Sequence, residues 1–133
     1  MSNPSIIDID TSAVMLEGGV FNDELLTFAA AATIKAGTIL ARSTATGKLV
    51  PFVKGGTTAG NGVPKALVTY PVVAAAAGDV SIRAAMSGKV NAPKLVIAAD
   101  GDASNVDAAV LDSLRAYGLA PVGVTELNFY DNK

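Results

Sequence analysis

Residues 38–53 read TILARSTATGKLVPFV, two short apolar runs joined by small polar residues that end in glycine. Apolar runs of this length, rich in β-branched residues, form strands, and Gly47 supplies the positive φ that a tight connection between them needs. The spacing predicts strands over Thr38–Arg42 and Lys48–Val53 with a turn at Thr44–Gly47. Pro51 has no N–H to give to a ladder, which places its strand at an edge or a bulge. Nothing in this unit can serve as a catalytic base or a metal ligand.

The same punctuation runs on through the chain. Gly55–Gly62 (GGTTAGNG) reads as a flexible loop. It lacks the Gly-Lys-Ser/Thr ending of a phosphate-binding loop and fits no nucleotide fingerprint. Val63–Val73 reads as a strand with proline near each end, and Val80–Arg83 alternates as a strand. Ser87–Gly88 reads as a second tight turn, and Pro121–Leu127 as a closing strand. Phe21–Ile34 is ambiguous: Asn22-Asp23-Glu24 could cap a helix, while Thr27-Phe28 and Thr33-Ile34 favour extended chain, the reading preferred here. One helix is marked, with Ser104 as N-cap and Asp107 three residues on in capping-box spacing. Val106, Val110, Leu114 and Tyr117 share its inner face beside Leu111, and Gly118 takes the C′ position.

Residues 1–20 read as an extended arm. Ile7-Asp8-Ile9-Asp10 alternates apolar and acidic, the period of a half-buried strand, and Glu17-Gly18-Gly19 breaks the pattern. A terminal strand set off by glycines pairs either with a sheet edge of another chain or within its own domain. The chain of 133 residues is long enough for one domain and a real core. The expected architecture is therefore mainly β with one short α-helix: a compact single domain over 21–133, sandwich-like, with an extended N-terminal arm at 1–20. Half of the residues are hydrophobic but only 5% are aromatic, and many are alanine. That composition, with a mean hydropathy of +0.43, predicts a thin core and some apolar surface covered by a partner.

Composition also excludes chemistry. With no Cys and no His, disulfides, thiolate metal sites and imidazole catalysis are all ruled out. Asp100, Asp102 and Ser104 stand at alternate positions as at the start of a calcium loop. Asn105 replaces the required glycine, however, and Leu111 the required glutamate. Tyr70, Tyr117 and Tyr130 sit among apolar neighbours, as packing residues do. No serine–base or carboxylate pair has a catalytic signature, so no enzyme activity, metal or cofactor is expected.

Charge is segregated. Residues 1–34 carry five acids and no base, a net −5; residues 35–94 carry eight bases against Asp79 alone, +7; residues 95–133 carry six acids against Arg115 and Lys133, −4. Such blocks can guide a protein partner; alternatively the bases are simply spread over several strands as solvated side chains. Nucleic-acid binding is not expected, because the pI is about 4.9 and no aromatic–basic stripe accompanies the basic middle. The N-terminus lacks a signal-peptide pattern, and the longest near-apolar stretch, Ala66–Ala77, is too short to span a bilayer and contains Pro71. A soluble protein with no membrane partner is expected.

The ordered set of segments resembles the phage head decoration protein family of the lambda type. It comprises GTILARSTATGKLVPF, a Gly-rich loop, GVPKALVTYPVVAAAAGDVSIRAAMSGKVNAPKLVI, a capped helix ending LRAYGL, and VTEL, across about Phe21–Leu127. The resemblance implies a β-clip-type domain made in the host bacterial cytoplasm and carried on the outer surface of the virion head. It also implies homotrimers at three-fold and quasi-three-fold sites that bind the major capsid protein and stabilise the expanded head against internal DNA pressure. It further implies that the arm adds a strand to the capsid; here that arm is Ser5–Asp10, with Ile6, Ile7, Asp8, Ile9 and Asp10 as its contact residues, Ile7 and Ile9 facing the capsid and Gly18-Gly19 as its joint. Two other classes compete with this reading. A tail, baseplate or fibre-attached module is one, though a fibre domain should show repeats or a stalk and none is present. A β-clip nucleotide hydrolase is the other, and it would need clustered carboxylates near the Gly-rich loop, where Asp79 is the only acid in the whole middle block.

Overall fold

Alternating apolar residues and frequent glycine breaks give strands that bury one face or both. In the computed structural model, which describes residues 14–122, eight strands and one helix follow in the order β1 (Met15–Phe28), β2 (Ala32–Ile34), β3 (Ile39–Arg42), β4 (Leu49–Pro51), β5 (Pro64–Leu67), β6 (Val72–Ala74), β7 (Gly78–Asn91), α1 (Ala108–Ala116) and β8 (Leu119–Val122). The chain is mainly β with one short helix, as its pattern leads one to expect. The main sheet runs β1-β4-β3-β5-β7-β8, and β1 also pairs with β7. That extra pairing closes β1, β4, β3, β5 and β7 into a five-stranded barrel, and β8 hangs parallel on β7. β2 and β6 form a separate two-stranded ribbon.

The hairpin is β3–β4, in the antiparallel register Leu40↔Pro51 to Arg42↔Leu49. Its turn is tied by Ser43, which is buried: its backbone N donates to Lys48 O at 2.8 Å, and its Oγ accepts from Ala45 N at 3.2 Å and Thr46 N at 3.3 Å. β4 has β3 on one side and meets β1 only at Leu49, so Pro51 lies beyond the point where β1 could use an N–H.

Two apolar clusters fill the fold. Leu26, Leu40, Leu49, Ala66, Ile82 and Ala84 pack with the ribbon residues Ile34, Val72 and Ala74. On the opposite face of the same strands, Ile39, Ala41, Leu67 and Ala85 pack under Leu95, Ile97, Leu119 and the helix residues Val110 and Leu114. Strands β3 and β5 are therefore buried on both faces, which explains why TILA and ALV read as continuous apolar runs rather than as alternation. The core is not thin. Leucine, isoleucine, valine and phenylalanine occupy most of it, and the runs Ala29–Ala32 and Ala75–Ala77 lie exposed at one end of the molecule.

Several local expectations give way to the structure. Ser87-Gly88 is no turn: β7 runs through it unbroken to Asn91. Val63–Val73 holds two strands, β5 and the start of β6, separated by residues 68–71, where Pro71 cannot continue a ladder. The helix begins three residues later than expected. Its N-cap is Asp107, whose carboxylate accepts from Val110 N at 3.1 Å, whereas Ser104 lies in the preceding turn with its N donating to Asp102 Oδ1. Tyr117 is the C-cap and leaves the inner face; Lys65 Nζ sits 3.7 Å above its ring centroid. The Gly-rich loop is not loose. Val53 N donates to Asn61 O, Asn61 N to Thr58 O, Gly56 N to Val53 O and Thr44 N to Ala59 O, all between 2.9 and 3.0 Å.

Candidate interaction surface

Ile6, Ile7, Asp8, Ile9 and Asp10 lie outside the described residues, as do Tyr130 and the end of the Pro121–Leu127 segment. The described residues begin at Val14. Val14 is buried in the core, its O accepts from Asn91 N at 2.7 Å, and Met15 pairs with Val90. Across β7, Asn91 pairs with Val122 of β8. The first and last described residues therefore leave the barrel at the same end, on either side of β7.

Gly18 and Gly19 lie inside β1, which crosses them while still paired with β7. The register slips between Met15 and Glu17, between Glu17 and Val20, and between Val20 and Phe21. Slips of this kind mark bulges, which bend a strand and sharpen its twist. The first described residues thus lead into a bent, paired strand. Val20, between two of these slips, is 57% exposed. On the outer face of the β1–β7 pair, Asp23 stands opposite Arg83 and exposed Leu25 opposite Ser81, while Arg83 lies 5.8 Å from the Phe21 ring centroid. Tyr70, also exposed, accepts from Arg83 N at 2.8 Å.

The segregated charges meet within the fold. Glu24 of the acidic first block takes a hydrogen bond from Arg42 Nη1 at 3.0 Å, which holds its carboxyl below the usual range despite partial burial. Asp107 of the acidic last block accepts from Lys54 at 2.7 Å and caps α1, and both bonds lower its pKa, that from Lys54 the more. Asp79, the lone acid of the middle block, accepts from Lys48 at 2.6 Å and Thr27 at 2.8 Å, and is lowered by them in that order. Asp102, lowered by Ser104, and Asp100, bonded to Asn105, shape the turn before α1. Lys35 donates to Gly101 O in the same turn at 2.7 Å. Among the described residues, no group of three or more carboxylates is placed to hold a metal ion. These pairings fall between segments distant in sequence, so charge counting found the blocks without finding which members meet.

The arrangement is therefore one of geometry: a closed barrel, a bent first strand and half-exposed apolar residues, with acids committed to structural hydrogen bonds. No individual curated protein is a significant match to the chain. The family profile described as "Bacteriophage lambda head decoration protein D" matches residues 9–119, ending at the first residue of β8. That span covers the whole barrel and the helix and begins earlier than the Phe21–Leu127 segments that carry the resemblance. The chain belongs to the lambda head decoration protein family and is a decoration protein of a phage head.

Proposed function

We propose that the chain binds the outside of the expanded head as a homotrimer at three-fold and quasi-three-fold positions, and that it holds neighbouring major capsid proteins together against the pressure of packaged DNA. The family match over residues 9–119 is the observation that carries this reading. In it, Ile6–Asp10 add a strand to the capsid, with Ile7 and Ile9 inward and Asp8 and Asp10 outward. The anchoring of Val14 supports that role, because a strand fixed at residue 14 transmits load from the arm directly to the barrel core. Each isoleucine contributes about 1.5–3 kcal/mol if fully buried.

The test is binding of a variant lacking residues 2–10 to undecorated expanded heads. The cut must stop short of Val14, since removing it opens the core. The truncated protein should melt as the full chain does and fail to bind. Truncated protein that still saturates the heads would remove the arm as the anchor.

A further inference from the structure

We infer that Asn61 is a site of spontaneous deamidation whose chemistry the folded Gly-rich loop holds off. Asn61-Gly62 is the only Asn-Gly step in the chain. Such a step is reactive because glycine leaves its own backbone nitrogen unshielded by a side chain. Gly62 N attacks Asn61 Cγ and a new C–N bond closes a five-membered imide. The bond from Cγ to the side-chain nitrogen breaks, and ammonia leaves with the proton from Gly62 N. Water then opens the imide at either carbonyl, giving aspartate or isoaspartate.

Ring closure requires Cγ to swing onto Gly62 N. In the loop the amide is held elsewhere. Asn61 Oδ1 accepts from Thr58 N at 3.2 Å, Asn61 N donates to Thr58 O at 3.0 Å, and Asn61 O accepts from Val53 N at 2.9 Å. Gly56 packs so closely on Asn61 Oδ1 that a Cβ there would overlap it, and Gly62 lies against the Gly56 carbonyl with no room for one either. The amide must leave Thr58 and Gly56 before it can react, so the reaction waits on loop opening.

The product does not fit the closed loop. Isoaspartate lengthens the main chain by one methylene between residues 61 and 62, where Gly62 and Gly56 are in backbone contact. The Val53–Asn61 bond then loses its register. Lys54, which ties this loop to the helix cap at Asp107, follows directly on Val53. Opening once followed by reaction is therefore one-way.

The experiment incubates the full chain at mildly alkaline pH, folded and in guanidinium, and maps peptides by mass. Conversion raises the mass by the difference between an amide NH2 and a hydroxyl. The Asp100-Gly101 step can also form an imide, but its hydrolysis restores the original mass and does not confuse the readout. The denatured chain should convert at residue 61 ahead of every other asparagine. The folded chain should convert more slowly by about tenfold or more, the ratio set by how rarely the loop opens. Thr58→Pro removes the N–H that holds Oδ1 and should raise the folded rate toward the denatured one. Gly56→Ala, which pushes on the same oxygen, should do so independently if Thr58→Pro does not fold. Equal rates in folded and denatured chains would overturn the restraint, and absence of conversion in guanidinium would overturn the site.

Discussion

Gly88 faces Gly18 across the β1–β7 pair so closely that a Cβ on Gly88 would stand 2.9 Å from Gly18 O and 2.8 Å from Met15 Cε. Gly88 also holds φ at +128°, which side chains avoid. Gly88→Ala should therefore destabilise the barrel by roughly 1–3 kcal/mol from backbone strain alone. Displacement of β1 at its bulge should add to that. Chemical denaturation reads the loss. Gly47→Ala makes a useful comparison, because that site has an unfavourable φ but open space around it, so it should cost less.

Asp107, not Ser104, caps α1. Asp107→Ala should lower the melting temperature by removing the acceptor for Val110 N and the partner of Lys54. Ser104→Ala should leave it nearly unchanged. Leu114→Ala should cost the most of the three, about 2–5 kcal/mol, since that side chain is fully buried against the sheet. Equal losses for Asp107→Ala and Ser104→Ala would mean that the helix starts before Ala108.

Stability should fall in acid partly through Glu24. Its folded pKa lies below the ordinary 4.5 because Arg42 bonds its charged form. A depressed carboxyl contributes stability that is present above the unfolded pKa and is lost as pH falls through the folded one. Glu24→Gln keeps a side-chain acceptor but removes the charge. The melting temperature of the native chain should exceed that of the variant at neutral pH, and the two should converge below pH 4.5. A gap that stays constant with pH would show that charge at Glu24 contributes nothing.

The charge blocks should affect capsid encounter more than retention. Association with expanded heads should slow between about 0.05 M and about 0.5 M salt, because exposed charges are screened over that range. Protein already bound should stay, held by apolar burial that salt does not screen. The effect should be modest, since Glu24, Asp79 and Asp107 already have partners within the chain. A time course at both salts, followed by a salt challenge of decorated heads, measures both halves. Rapid loss in the challenge would assign retention to electrostatics.

How far the sequence could be read depended on how local each signal was. The hairpin was legible because Ser43 to Lys48 encode their own turn. The helix body was legible because Val110 and Leu114 lie one turn apart. Its start was misplaced because Ser104 and Asp107 are both good caps; in the fold Asp107 takes Val110 N and also pairs with Lys54, fifty-three positions away in sequence, which no local pattern shows. Gly88 read as a turn because glycine after serine usually is one. Its real demand comes from Gly18, far off in the chain. The arm residues were picked out by alternation, and their part in binding rests on the family.

Barrel closure also sets an order of events during synthesis. The β3–β4 hairpin joins Arg42 to Leu49, neighbours that can meet as soon as both exist, but β1 needs Val80 for Leu26 and Val90 for Met15. Contacts at such long range form slowly, since a large loop must be closed before they stabilise anything. Among the described strands, β1 is thus made long before β7, the partner that takes most of its ladder. Until β7 is complete, most of β1 lacks the partner that its ladder needs, and the strand is continuous in sequence with the Ile7-Asp8-Ile9-Asp10 segment. The acids at 8, 10, 17, 23 and 24, with no base among the first thirty-four residues, give that waiting strand a repulsive charge that keeps copies apart while the rest of the chain arrives.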